Sequence, residues 1–134
     1  IEIEGYKIWG TPWTPLFYDW AFMKPDTVME LGEIYRKIPD DIDILISHGP
    51  PKGILDQTMR DSSKAGSVQL LKAIERIRPK LHVFGHIHEG YGQISQNGTT
   101  FVNCAHMTFD YKPLNKAIRV ELEDRNNHGS GKPE

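Results

Sequence analysis

The residues best able to do chemistry are histidines placed at the ends of apolar runs. Six occur, at 48, 82, 86, 88, 106 and 128. His48 ends the alternating run DIDILIS, while His86 and His88 follow LHVF inside GHIHEGYG. Imidazole is the commonest metal ligand, and its charge changes near neutral pH. In extended backbone, positions i and i+2 share one face about 6.5–7 Å apart. His86 and His88 could therefore converge on one ion, or serve two ions about 3.5–4 Å apart. Chance and a solvated loop produce the same spacing. His48 at a second strand end adds weight to a metal site, because α/β sheets gather ligands beyond the carboxyl ends of their strands. Gly85 and Gly90 flank the pair and permit sharp turns. His82, alternating with Phe84, reads as structural or as support for a ligand. His106 is ambiguous, and His128 belongs to a polar tail.

Other chemical signals are weaker. Cys104 lies in the apolar stretch TFVNCA and reads as a small core residue rather than a nucleophile. Asn97-Gly98-Thr99 matches a glycosylation sequon, but a hairpin turn explains it better. Gly90-Tyr91-Gly92 lacks the helix-opening context of a phosphate loop. The loop 10–26 carries Trp13, Phe17, Tyr18, Trp20 and Phe22, which demand burial of many rings or, as an alternative, offer a base-stacking platform.

The elements that must position these residues follow from periodicity. Alternation over 1–10 predicts extended structure broken at Gly5. Asp26 or Thr27 can cap a helix reaching Lys37, with Leu31, Ile34, Tyr35 and Ile38 on one stripe. Ile42, Ile44 and Ile46 predict a strand that Gly49-Pro50-Pro51 ends. A helix over 65–78 presents Val68, Leu71, Ile74 and Ile77, with Pro79 beyond its last turn. Then come a short strand at 81–84, a hairpin around Asn97-Gly98, and alternation again over 116–123. The order predicts an α/β domain with a mixed sheet over 1–124, followed by a disordered polar tail at 125–134.

Composition bounds the partners. The 134 residues suit one domain, and 38% hydrophobic content permits a real core. A net charge of -2 leaves no basic excess for general nucleic-acid binding. No apolar run is long enough for a membrane span or a secretory signal. A single cysteine cannot form an internal disulfide, which points to a reducing, cytoplasmic setting.

Ser47-His48-Gly49-Pro50-Pro51, followed by Gly85-His86-Ile87-His88-Glu89-Gly90, resembles the last two motifs of calcineurin-like metallophosphoesterases. Gly10-Thr11-Pro12-Trp13 and Asp19-Trp20-Ala21-Phe22 resemble the metallophosphoesterase-domain subgroup, and the likeness runs over roughly 5–123. The resemblance implies the C-terminal part of a four-layer αββα sandwich. It also implies a phosphodiesterase with two divalent metal ions (manganese, iron, zinc or nickel), acting on small nucleotide-like phosphate esters. By resemblance, His48 and His86 bind one metal, His88 binds the other, and Glu89 orients a ligand from behind. The family's earlier motifs, Asp-x-His, Gly-Asp-x-x-Asp and Gly-Asn-His-Glu/Asp, are absent here. Three imidazoles cannot satisfy two hard ions that each want about five or six ligands. The resemblance therefore implies that the other ligands and the general acid lie upstream of Ile1, that this chain alone is a poor enzyme, and that it exposes an apolar sheet face. Two further readings stand beside this one. One is an inactive scaffold of the same fold that binds partners. The other is a single-metal module using the three histidines with Asp56 or Asp110.

Overall fold

The computed structural model describes residues 1–123, so the tail, its His128 and the boundary expected at 124 lie outside the described residues. Alternation at the amino end produces a hairpin. β1 (Glu2–Ile3) and β2 (Tyr6–Thr11) pair antiparallel around Glu4 and Gly5, both at positive φ. The chain then forms a separate two-stranded pair, β3 (Thr14–Pro15) with β4 (Met23–Lys24). It continues through α1 (Leu31–Arg36), β5 (Ile44–Ser47), α2 (Val68–Ile77) and β6 (Leu81–Phe84). β7 (Gly92–Gln96) and β8 (Thr99–Asn103) form the expected hairpin, with Asn97 and Gly98 both at positive φ as a type I′ turn requires.

The main sheet runs β1-β2-β5-β6-β8-β7. β2, β5, β6 and β8 are mutually parallel, and the antiparallel strands β1 and β7 form its edges. All four parallel strands therefore deliver their following loops to one end of the sheet. Trp9, Leu45, His82 and Phe101 stand in one register row across it. This face meets the helices, whose Leu31, Tyr35, Leu70, Ile74 and Ile77 complete a core with Leu45, Phe84 and Phe101. The opposite face is open only in part: Ile46 is 46% exposed and Ile8, Ile44 and Val83 are half-buried, whereas Leu81 and Val102 on the same face are buried.

Several expectations change. Asp26 caps the other helix: its carboxylate accepts from Ser67 Oγ at 2.6 Å, Val68 N at 2.7 Å and Gln69 N at 3.2 Å. Free amides at a helix start take whichever acceptor reaches them, however distant in sequence. Ser67 Oγ closes the same cap on Leu70 N, while α1 starts at Leu31 without a side-chain cap. That cap sets the phase of α2, so the buried stripe is Leu70, Ala73, Ile74 and Ile77, and Val68 turns outward. Over 116–123 the side chains alternate between half-buried and exposed, yet no strand forms, because extended backbone becomes a strand only beside a neighbour that completes the ladder.

The aromatic loop departs most. Tyr18 is 73% and Trp20 56% exposed, and Phe17 and Phe22 are exposed too. The rings pack edge-on against one another instead: Phe17 lies 4.6 Å from Tyr18 and 5.0 Å from Trp20 between centroids. Only Trp13 reaches the core, and Tyr35 Oη donates to its carbonyl at 2.9 Å.

Candidate metal centre

His48 leaves β5 and His86 leaves β6 at the same end of neighbouring parallel strands. Gly85 N donates to the His48 carbonyl at 3.0 Å, which ties the two strand-end turns together. The imidazoles meet, with His48 Nε2 3.1 Å from His86 Nδ1 and ring centroids 4.5 Å apart. His86 sits at φ +67°, a left-handed backbone that costs a non-glycine residue energy and recurs at functional sites. The sharp turn is thus taken by His86 itself rather than by Gly85, which has no positive φ and no crowded neighbour.

The other two motif glycines are needed for close approach. A Cβ on Gly49 would come within 2.7 Å of Thr14 Oγ1, and one on Gly90 within 2.0 Å of the Leu55 carbonyl. Asn103, fully buried at the end of β8, locks the same region. Its Nδ2 donates to the carbonyls of Leu55 at 3.0 Å and Ile87 at 2.8 Å, and its Oδ1 accepts from Ala105 N at 3.1 Å. Asn103 and Thr14 escaped the sequence reading. A polar residue closing an apolar strand was the available signal for Asn103, and Thr14 offered none.

Electrostatics suit a metal ligand. Burial, with the neighbouring His48 and His88, pushes the His86 imidazole down to about 4, so it is neutral at pH 7 with a free lone pair. His88 opens a 3₁₀ turn (His88–Gly90), and its Nδ1 donates to the Thr108 carbonyl at 3.2 Å. That bond leaves Nε2 as the nitrogen free to coordinate. Nitrogen ligands of one ion sit about 2.1 Å from it. A 3.1 Å separation between two such donors then corresponds to an angle near 95°, a cis edge of a coordination shell. The pair therefore fits part of a metal site.

The described residues do not complete that site. Among them no group of three or more His, Cys, Asp or Glu side chains is placed to hold a metal ion. Asp56 is buried and accepts from Gly53 N at 2.8 Å and Gly66 N at 2.9 Å, while Asp110 bonds to Thr108. Neither supplies the carboxylate that a single-metal module needs. Glu89 accepts from Met59 N at 2.9 Å, anchoring the turn to the 56–64 loop. His106 is exposed, and its Nδ1 lies 2.9 Å from the Asn115 carbonyl. Cys104, expected in the core, is exposed just past β8, where the strand register ends.

Known proteins are similar to this sequence. Over 123 residues, 91% of this chain, it is 44% identical to metallophosphoesterase domain-containing protein 1 of Homo sapiens, and equally to that of Mus musculus. The chain belongs to the metallophosphoesterase-domain family. A UPF0046 protein of Caenorhabditis elegans is 43% identical over 105 residues, covering 78% of this chain and 26% of the relative. The chain spans 37% of the length of the human and mouse proteins. No protein-family model matches it. One crystal structure superposes on 77% of this chain and 40% of its own, with a TM-score of 0.48 at 24% identity. The mixed, mainly parallel sheet is consistent with the C-terminal part of a metallophosphoesterase fold. Among the described residues no helix is long and apolar enough to cross a membrane.

Proposed function

We propose that the chain contributes the carboxyl-terminal ligands of a two-metal phosphoesterase that hydrolyses phosphodiesters of small, nucleotide-like substrates. The observation that carries this reading is the 3.1 Å approach of His48 to His86 at neighbouring strand ends, in a metallophosphoesterase-domain chain. In it, His48 and His86 hold one divalent ion and His88 the other, each as a neutral imidazole. Glu89 holds their turn in place through Met59. Manganese, iron, zinc or nickel ions would supply Lewis-acid polarisation of the phosphoryl oxygens. The remaining oxygen ligands and the general acid come from the amino-terminal half of the domain. That half docks on the open part of the sheet face around Ile46. Exposed Cys104 suits a reducing, cytoplasmic setting.

Manganese-dependent hydrolysis of bis-p-nitrophenyl phosphate tests this reading, comparing the chain with a longer protein that carries the upstream half. Activity is expected only in the longer protein, with a loss of at least about 100-fold in His86→Ala. A folded longer protein that stays inactive and binds no divalent metal would overturn it. The exposed aromatic loop favours a second reading, an inactive scaffold of the same fold that grips partners through those rings. That reading expects the longer protein's folding to be indifferent to chelator.

A further inference from the structure

His82 occupies the centre of the helix-covered face and is fully buried among Leu45, Phe84 and Phe101. Packing alone would favour leucine or phenylalanine there, yet the position carries a ring with two polar nitrogens. Its Nε2 lies 2.8 Å from Ser47 Oγ, and Ser47 Oγ donates to the Gly49 carbonyl at 2.7 Å. A hydroxyl has one proton, so Ser47 must accept from His82, which fixes the proton on Nε2. Nδ1 is then a buried acceptor with no partner among the described residues, an unfavourable arrangement that only Thr11 Oγ1 shares among their buried side-chain atoms.

The relay ends on the turn that presents His48. A Cβ on Gly49 would come within 2.7 Å of Thr14 Oγ1, so the turn lies close against Thr14 and has little freedom once its carbonyl is held. We propose that His82 is a positioning residue that, through Ser47 and the Gly49 carbonyl, holds the His48 turn and sets the separation of the His48 and His86 imidazoles. The functional consequence rests on the phosphoesterase reading, whereas the geometric one does not.

Two variants separate the relay from mere packing. His82→Leu keeps the bulk and removes the donor, while His82→Gln keeps an N–H near the Nε2 position. In the chain itself, ring-to-ring nuclear Overhauser contacts between His48 and His86 are expected to vanish in His82→Leu and to persist in His82→Gln. Should His82→Leu fail to fold, Ser47→Ala cuts the same relay at its middle and is expected to lose the same contacts. If the leucine variant, or the alanine variant in its place, keeps the His48–His86 contacts with the amide spectrum of α2 unchanged, the proposal is overturned. In the longer protein, His82→Leu is expected to weaken manganese activation 10- to 100-fold, with recovery at high manganese and near-normal behaviour in His82→Gln. A longer wild-type protein without metal-dependent activity would sink the phosphoesterase reading alone, and the ring contacts would still judge His82.

Discussion

The two faces of the sheet are made from the same strands and differ in nearly everything else. On one, Leu45 is wholly inaccessible and Phe84 and Phe101 nearly so, sealed by two helices, of which α2 is pinned at its start by Asp26 and Ser67. On the other, one residue further along β5, Ile46 is 46% exposed with half-buried aliphatic neighbours. Period-two alternation assigns residues to faces without saying which face is covered. Both faces of a mainly parallel sheet are ordinarily covered, so the difference shows where this chain is self-sufficient and where it is open to a further layer.

The largest effect is expected on the covered face. Leu45→Ala should destabilise the chain by about 3–4 kcal/mol in chemical denaturation, since it leaves a cavity at the centre of the core. A loss under about 1 kcal/mol would mean that the covered face is as loose as the open one. Next comes pH. Burial pushes His82 down to about 3, against an ordinary value of 6.5, so the folded chain holds it neutral while the unfolded chain protonates it. Its contribution is complete above pH 6.5 and is lost progressively as pH falls toward about 3. Relative to His82→Leu, the chain should lose roughly 3 kcal/mol between pH 7 and pH 4. Parallel curves for the two proteins would contradict a neutral, buried imidazole.

A smaller effect belongs to the cap that secures the covering helix. Asp26→Ala should lower stability by about 1 kcal/mol and raise amide exchange in the first turn of α2, with no change at α1. The smallest is on the open face, where Ile46→Thr should change stability by less than about 0.5 kcal/mol in this chain. In a longer protein with that face covered, the same substitution should exceed about 1 kcal/mol. Equal values in the two settings would show that nothing packs on Ile46.

What was readable in the sequence was what local rules decide. His48 and His86 were legible because glycine-flanked turns after apolar runs mark strand ends, and Asn97-Gly98 was legible because few pairs accept two positive φ angles. The rest depends on distant partners. Asp26 could have capped either helix, and its choice of Ser67 and Val68 is made 41 and 42 residues away. The rings of 17–22 were expected inside because large aromatics normally are, but they satisfy one another at the surface. The stretch 116–123 carries a strand's pattern without a strand's neighbour. His82 read as structural or as support for a ligand, and its partner stayed hidden because only the folded sheet brings Ser47 within its reach.

The sheet's edges bear on how the chain behaves in concentrated solution. β1 is only the two residues Glu2 and Ile3, with Glu4 next to it, and β7 presents Gln93, Ser95 and Gln96 to water around a single exposed aliphatic side chain, Ile94. Short, charged or polar edges are poor templates for an incoming strand. Self-association should therefore proceed by stacking of the aliphatic face, giving amorphous clusters that mild detergent disperses and thioflavin does not stain, rather than fibrils extended strand by strand.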